Sequence, residues 1–305
     1  MPSRGKILVI RGGAIGDFIL TLPVFSALRH HFPEARLEVL GYPHIANLAR
    51  AGGLVDQIRS IEARPLAQFF ARGGNLPGEL REYFSSFAII ISYLYDPDKI
   101  FETNVAHCSK AQFIAGPHRP DENLKLHATK TFLQPLERLA IFDSDPIPHL
   151  TLHSQPKPLN QIALHPGSGS ERKNWPEQKW LELITQLEAE TNLIFLLVGG
   201  EAEGKRLERL SENLPRERFQ IAQNLSLVDL AVRLKNCAAF IGHDSGISHL
   251  AAALNLTGVI LWGETNAEIW SPANPRFKHI RHECLANISV GQVAKELKNL
   301  LSKSQ

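Results

Sequence analysis

The chain has few cysteines and no marked excess of either charge. Its 305 residues include three cysteines, Cys108, Cys237 and Cys284, which lie far apart and lack CxxC spacing. This pattern excludes a disulfide framework and gives no zinc motif, so we expect buried thiols in a reducing compartment. The formal net charge is +2, and neither half carries a basic excess. Nucleic acid is therefore not an expected partner, because binding to a phosphate backbone requires a concentrated basic face.

The sequence also lacks a long apolar run and a low-complexity tract. No apolar stretch reaches the roughly 18 residues that cross a bilayer, and MPSRGK leads into a strand without a signal-peptide core. We therefore expect a cytoplasmic protein with at most peripheral membrane association, at the inner face of the cytoplasmic membrane. A composition of 44% hydrophobic and 21% charged residues is that of a globular protein. A length of 305 residues corresponds to two domains of about 150 residues.

Short β-type runs alternate with amphipathic stretches along the whole chain. In the first half the pattern predicts strands at 6–11, 36–41, 87–92 and 110–114, and helices near 16–31, 43–50, 97–106 and 129–140. In the second half it predicts strands at 161–166, 192–200, 237–243 and 257–263, and helices near 176–190, 201–213, 226–235, 245–254 and 289–302. This order predicts an α/β protein with two Rossmann-like, doubly wound parallel domains. Ligands of such sheets bind outside the carboxyl ends of the strands.

A segment rich in proline and polar residues, 153–161, interrupts the pattern and has the composition of a linker. We therefore expect an N-terminal domain at 1–155 and a C-terminal domain at 156–305, facing each other across a cleft. The last helix belongs to the second domain in this division, and packing against the first domain is the alternative.

The turn after the first strand, RGGAIGD, ends with a carboxylate, Asp17. Its glycines permit a sharp turn and close approach of a ligand, but Arg11 occupies the first glycine position of a GxGxxG dinucleotide fingerprint. Asp17 is either an ordinary helix-start acid, stabilised by roughly 0.3 to 1 kcal/mol, or a general base. The helix dipole favours its ionised form, which can accept a proton from a substrate hydroxyl. Pro23 is expected to kink the following helix or to mark where its regular part begins.

A polar loop follows the first strand of the second half, in LHPGSGSERKNWP. Hydroxyls, backbone amides and a lysine on one loop have the chemistry of a phosphate cradle, without the spacing of a P-loop. Ser168, Gly169 and Lys173 are therefore candidates for binding a phosphate group of a ligand. The alternative is a solvated connector between a strand and a helix.

A second candidate phosphate site is the segment GHDSGISHL, in which a strand runs into a helix. Ser245 and His249 are four residues apart and lie on one helical face near its amino end, next to Gly246. Such a helix terminus can bind a phosphate or pyrophosphate, although Asp244 or Ser245 could be a simple N-cap. Because both loops follow strands of one domain, we favour a phosphate site.

Two acidic tripeptides, DPD at 96–98 and DSD at 143–145, resemble the DxD signature of metal-dependent sugar transferases. Both stand beside prolines and are interpreted as surface turns. The sequence therefore predicts no metal site, and no cofactor is expected.

Four segments follow one another along the chain: KILVIRGGAIGDFILTLP, HPGSGSERKNWP, GHDSGISHLAAAL and LWGETNAEIWSP. In their sequence, order and approximate spacing they resemble glycosyltransferase family 9, the ADP-heptose:lipopolysaccharide heptosyltransferases, and the resemblance covers both domains. The resemblance implies a GT-B fold with the acceptor on the first domain and the nucleotide sugar on the second. It implies transfer of a heptose or related sugar from a nucleotide diphosphate sugar, ADP-heptose in the family, to a lipopolysaccharide-core or other glycan. With fixed hydrogen-bond donors at the leaving diphosphate and Asp17 as base, we expect this transfer to be metal-independent and inverting.

By this resemblance Asp17 matches the catalytic aspartate and Lys173 the lysine that contacts the diphosphate. The residues that match the nucleotide-sugar site are Asp244, Ser245, Gly246 and His249. Either Glu201 or Glu203 matches an acid that holds the donor ribose, and the sequence does not decide between the two. The candidates for binding the acceptor on the first domain are Arg11, Gly13, Arg64, Arg72 and Arg119.

The chain departs from the family in its last segment, where Glu264, Asn266 and Ala267 replace a proline, an aspartate and a second proline. That loop borders the sugar end of the donor, so the identity of the transferred sugar stays open.

Two other classes of function also stay open. A nucleotide-sugar epimerase or hydrolase of the same fold would consume the donor without an acceptor, and a non-catalytic nucleotide-binding protein is favoured if Asp17 engages only its own helix. A dehydrogenase is less favoured because the GxGxxG motif is incomplete.

Overall fold

The chain forms two α/β units, Met1–Pro146 and Ile147–Gln305, in a computed structural model that describes residues 5–152, 160–201, 203–212 and 214–302. Most of the expected linker, 153–161, lies outside the described residues. The division falls ahead of the expected boundary at 155/156 because Leu150 and Leu152 already bond within the second unit. The backbone N–H of Leu150 donates to the carbonyl of Ala253 at 2.8 Å, and Lys235 donates to the carbonyl of Leu152.

The first unit contains a five-stranded parallel sheet with the order β3-β2-β1-β4-β5. Its strands are β1 (Lys6–Arg11), β2 (Arg36–Gly41), β3 (Gln57–Ser60), β4 (Ile89–Ser92) and β5 (Gln112–Ala115). Its α-helices are α1 (Ile15–Ile19), α2 (Leu22–His31), α3 (Pro43–Ala51), α4 (Gly78–Ser85), α5 (Ile100–Ala106) and α6 (Ala128–Leu133). Four successive residues of the central strand, 7–10, are buried, so both faces of the sheet are covered.

The helix expected at 16–31 is two helices. Pro23 occupies the second position of α2, where a missing N–H removes no helical hydrogen bond. In one continuous helix its ring would instead clash with the carbonyl of Ile19, the residue at which α1 ends. Pro23 thus marks where the regular part begins, as expected, and Asp17 lies on a separate helix of five residues.

The second unit contains a six-stranded parallel sheet with the order β11-β10-β9-β6-β7-β8. Its strands are β6 (Gln161–Leu164), β7 (Ile194–Gly199), β8 (Phe219–Gln223), β9 (Ala239–His243), β10 (Gly258–Trp262) and β11 (Phe277–Arg281). Its α-helices are α7 (Glu177–Glu190), α8 (Gly204–Ser211), α9 (Leu227–Lys235), α10 (Gly246–Ala253), α11 (Ala267–Trp270) and α12 (Val290–Ser302). The last helix, α12, packs into the core of this unit through Val293, Ala294 and Leu297.

Both sheets have the strand order of a doubly wound fold, which confirms the predicted fold class of each unit. The chain direction across the sheet reverses between β1 and β4 and again between β6 and β9. At such a switch point the loops that leave neighbouring strands diverge to opposite faces and leave a crevice at the carboxyl edge. The turn with Asp17 follows β1, and the two candidate phosphate loops follow β6 and β9. None of the described helices combines the length and the apolar character that a membrane span requires.

Candidate functional site

An ion pair joins the two loops at the switch point of the second sheet. Lys173 lies in the loop after β6, and its Nζ donates to Oδ2 of Asp244, directly after β9, at 2.6 Å. The lysine side chain is 43% exposed and that of the aspartate 13%. The structure therefore brings together two residues that the sequence singled out in separate motifs.

Lys173 and Asp244 line a cavity of about 250 Å³ at this edge of the sheet. Its other lining residues are Ser170, Arg172, Leu261, Gly263, Glu264, Thr265 and Glu283. Arg172 donates to Glu264 Oε2 at 3.3 Å, and both side chains are largely exposed. Of the residues that depart from the family pattern, Glu264 lines this cavity, whereas Asn266 caps α11 by accepting from the N–H of Glu268.

The amino end of α10 adjoins this pair. Ser245 is its N-cap, and Ser245 Oγ accepts a hydrogen bond of 3.3 Å from the backbone N–H of Ser248. Gly246 begins the helix and has no side chain of its own next to its N–H. His249 is 6% exposed and lies within the packed part of the helix. The unsatisfied N–H groups of the first turn and the aligned peptide dipoles make this end favourable for an anion.

Two buried histidines, His165 and His243, lie beneath the site, and no sequence motif indicated a role for either of them. The backbone N–H of Trp175 donates to Nε2 of His243 at 2.8 Å, so the ring proton is on Nδ1, which lies 3.3 Å from the carbonyl of Gly167. Burial lowers the pKa of His243 to about 3 and that of His165 to about 4, so both are neutral at neutral pH. His243 therefore attaches the loop after β6 to β9 at two points.

The predicted donor residues Ser168 and Gly169 shape that loop. Ser168 Oγ lies 2.7 Å from Oδ1 of Asn174 and 2.8 Å from the carbonyl oxygen of Ser170. Gly169 has a φ of +74°, in the left-handed region that favours glycine. Neither residue lines the 250 Å³ cavity.

Glu203, rather than Glu201, lies against the loops of the site. Glu203 Oε2 accepts from the backbone N–H of Gly200 at 2.9 Å, directly after β7. A Cβ at Gly167 would lie 2.4 Å from Glu203 Oε1, so the carboxylate occupies the space left by that glycine. Glu201 is exposed. The structure thus separates two acids that the sequence left as alternatives.

In the first unit, Asp17 is held by its own turn and by Arg11. Asp17 Oδ2 accepts from the backbone N–H of Ala14 at 3.1 Å, and Oδ1 lies 3.9 Å from Arg11 Nη2. The side chain remains 30% exposed. Gly13 has a φ of +96°, and a Cβ there would lie 3.0 Å from Asp17 Oδ2. A Cβ at position 13 would therefore displace this carboxylate, in a backbone conformation that already favours glycine.

Arg11, which was expected to contact the acceptor, is 3% exposed. Its guanidinium donates to the carbonyls of His118 at 3.0 Å and Asp17 at 3.3 Å, and lies 4.4 Å from the ring centroid of Phe132. Burial lowers its pKa, and the Asp17 charge opposes that change. This enclosed position does not fit the expected acceptor contact, because Arg11 is almost inaccessible and both terminal guanidinium nitrogens already donate to the protein's own backbone.

The other basic candidates of this unit are dispersed. Arg64 follows β3 and Arg119 follows β5, at opposite edges of the sheet, and both are exposed. Arg72 forms an exposed ion pair with Asp98 at 3.2 Å. The structure therefore does not assemble Arg64 and Arg119 into one basic cluster.

The acidic tripeptide at 96–98 has a local structural role. Asp96 accepts from the backbone N–H groups of Phe101 and Glu102, at 3.2 and 3.0 Å, at the start of α5. Within the described ranges, no group of three or more His, Cys, Asp or Glu side chains could hold a metal ion. The three cysteines are free thiols, but the expectation that they are buried is met only by Cys237. Cys108 is half-buried and Cys284 is exposed.

Comparison with known proteins places this architecture among sugar transferases. The family model for glycosyltransferase family 9 (heptosyltransferase) matches residues 127–298. A putative glycosyltransferase of Haemophilus influenzae is 24% identical over 307 residues, which cover 90% of this chain and 88% of that protein. Lipopolysaccharide heptosyltransferase 1 of Pseudomonas aeruginosa is 33% identical over 132 residues, 43% of this chain and 33% of that protein.

A solved structure extends the likeness to the whole fold. The structure of the Escherichia coli ADP-heptose lipopolysaccharide heptosyltransferase II superposes with a TM-score of 0.77 and 20% identity. The match covers 98% of this chain and 99% of that one. At this level of identity the comparison shows the fold, two parallel α/β domains of the GT-B type.

Proposed function

The chain belongs to glycosyltransferase family 9, the heptosyltransferase family, and we propose that it transfers a heptose or a related sugar from ADP-heptose to a lipopolysaccharide-core glycan. The observation that carries the proposal is the Lys173–Asp244 pair beside the amino end of α10. These residues lie within the matched range 127–298 and at a topological switch point, where doubly wound sheets bind their ligands.

In this proposal the donor diphosphate binds at the first turn of α10 and next to Lys173. A diphosphate is anionic, and its oxygens accept hydrogen bonds without donating any. The helix end supplies backbone N–H groups that donate to it, and the lysine supplies a further N–H and a positive charge. As the bond between the anomeric carbon and the phosphate oxygen breaks, negative charge grows on the leaving ADP. A single fixed donor directed at such charge contributes roughly 3 to 4 kcal/mol to lowering a barrier. In this mechanism these donors, rather than a metal ion, stabilise the leaving group.

The cavity of about 250 Å³ beside the pair is our candidate for the sugar subsite. Its lining combines three carboxylates, two hydroxyls and two basic side chains, which can bind the hydroxyls of a sugar. Glu264 is the lining residue that departs from the family pattern, so it is the first position to test for preference between heptose and related sugars.

Asp17 is the proposed general base. Its carboxylate takes the proton of an acceptor hydroxyl while that oxygen attacks the face of the anomeric carbon opposite ADP, which inverts the configuration. The products are the extended glycan, ADP and a protonated Asp17 that returns its proton to solvent. General base catalysis of this kind contributes roughly 100- to 10,000-fold to the rate. Because the donor is a nucleotide and the acceptor a glycolipid core, we propose action in the cytoplasm at the inner face of the cytoplasmic membrane.

The test is turnover of ADP-heptose and acceptor by Asp17→Asn and Asp17→Ala. We expect transfer to be abolished while the affinity for ADP stays near normal, because the nucleotide is assigned to the other unit. Asp143→Asn, a change of an exposed acid in the same unit, is the matched control and should retain activity. Full turnover by Asp17→Ala would overturn the mechanism.

Donor specificity is tested separately by thermal shift with ADP-, GDP- and UDP-sugars. A ligand at 100 times its Kd stabilises the folded state by about 2.7 kcal/mol, and we expect ADP-sugars to give the largest shift. Incubation with ADP-heptose alone distinguishes the epimerase and hydrolase alternatives, since only these would consume the donor rapidly without an acceptor.

A further inference from the structure

His165 lies beside the N-cap of α10. Its Nδ1 is 3.3 Å from Ser245 Oγ, and its backbone N–H donates to the carbonyl of Ile241 at 2.9 Å, which fixes it to β9. The side chain is 6% exposed. The donor site proposed above uses Ser245 but gives no role to the imidazole behind it.

The protons around Ser245 can be assigned in part. Ser248 Oγ donates to the carbonyl of His243, so its proton is committed, and towards Ser245 Oγ, 3.2 Å away, it can only accept. Ser245 Oγ already accepts from the backbone N–H of Ser248. A neutral imidazole carries one N–H, on Nδ1 or Nε2. If Nδ1 carries it, His165 donates to Ser245 Oγ; if Nε2 carries it, Nδ1 accepts the Ser245 proton.

We propose that His165 is a positioning residue whose Nδ1–H donates to Ser245 Oγ, which keeps the Ser245 hydroxyl proton off the imidazole and lets it turn from Ser248 Oγ to the donor diphosphate. The inference rests on the proposed function, because it requires a diphosphate at the amino end of α10. A phosphate oxygen only accepts hydrogen bonds, so only this tautomer lets Ser245 present a proton instead of a lone pair. Burial that lowers the pKa of His165 to about 4 keeps the ring neutral, so it acts through its tautomer.

The direct test is the tautomer of His165 in the full-length protein saturated with ADP. Nitrogen-15 NMR separates a protonated from an unprotonated ring nitrogen, and the spectrum of His165→Asn assigns the signal. We expect Nδ1 to be protonated and Nε2 unprotonated at neutral pH. An unprotonated Nδ1 of His165 in the ADP complex would overturn the inference.

A mutant cycle tests the same contact by ADP affinity. His165→Asn places an amide N–H near the position of Nδ1 and should bind within about threefold of wild type, whereas His165→Leu removes the donor and should bind about tenfold more weakly. Ser245→Ala should lose a similar factor, and His165→Leu should cause no further loss in that background. Losses that multiply would contradict the inference.

Failure of the proposed donor and failure of the His165 role give different results. If the wild-type protein does not bind ADP, the proposed donor is wrong. If ADP binds but the two substitutions act independently, only the role of His165 is wrong. Should His165→Leu fail to fold, the NMR measurement on the wild type decides alone.

Discussion

Lys173 and Asp244 form a 2.6 Å hydrogen-bonded ion pair between two loops that are separated in sequence and adjacent in the sheet order. The carboxylate is the more enclosed partner, at 13% exposure against 43% for the lysine. Charges in such a setting are less screened than those of a fully exposed pair. Loss of the lysine would therefore leave a negative charge at the position proposed for an anionic ligand.

Lys173→Met should weaken ADP binding by about 10- to 100-fold, because it removes a charge-assisted donor and leaves Asp244 without its partner. Calorimetric titration with ADP measures the change. Lys278→Met, which removes an exposed lysine of the same unit, should bind ADP as the wild type does. Equal affinity of Lys173→Met and wild type would exclude the diphosphate contact.

Glu203→Gln should reduce ADP affinity about five- to tenfold, whereas Glu201→Gln should leave it unchanged. We expect this because Glu203 is bonded to the N–H of Gly200 at the carboxyl edge, while Glu201 faces solvent. If Glu203 holds the ribose, its variant should also lose discrimination between ADP and 2′-deoxy-ADP. The opposite ranking of the two variants would assign the ribose contact to Glu201.

Gly13→Ala should abolish most transfer activity, because a Cβ there would lie 3.0 Å from Asp17 Oδ2. Gly53→Ala is the matched control, since its φ is +70° and a Cβ would meet no atom within 4 Å. Both variants should lose about 1 to 3 kcal/mol of unfolding free energy from backbone strain. Activity retained in Gly13→Ala, at a stability equal to that of Gly53→Ala, would show that the turn does not fix Asp17.

Acidification should destabilise the second unit through its buried histidines. The pKa of His243 is about 3 in the folded state and about 6.5 when unfolded, so the unfolded chain binds more protons between these values. The stability of the folded state therefore rises with pH across this window. At about pH 5 the loss from His243 should be about 2 kcal/mol relative to neutral pH.

Urea unfolding of wild type and His243→Gln at several pH values measures this effect. The Gln side chain can still accept from the N–H of Trp175 but does not titrate, so its stability should fall less steeply as pH decreases. Parallel pH profiles for the two proteins would mean that His243 is not held neutral by the fold.

The sequence predicts the central strands well because their physical signal is strong. β1, β4, β6, β7, β9 and β10 are buried on both faces and appear as continuous apolar runs. β3, β8 and β11 were missed. They are edge strands with half-exposed, mixed sequences such as QIRS and FKHIR, in which neither an apolar run nor strict alternation is present.

The candidate site was predictable residue by residue, but its geometry was not. Lys173, Asp244 and Ser245 stand out because charges and hydroxyls follow apolar strands next to glycines. That Lys173 meets Asp244 depends on β6 lying beside β9, which strand patterns alone do not specify. His165 and His243 were missed because a single histidine at the end of an apolar strand has no spacing signal, and its tautomer depends on backbone groups distant in sequence.

Each sheet is built from one uninterrupted stretch of chain: β1 to β5 lie within 6–115 and β6 to β11 within 161–281. No described strand is exchanged between the sheets. During synthesis on the ribosome, the first sheet can therefore pair all its strands before those of the second have left the exit tunnel. Such sequential emergence limits the time for which unpaired strand edges from both halves are exposed together, which is when mispairing and aggregation occur.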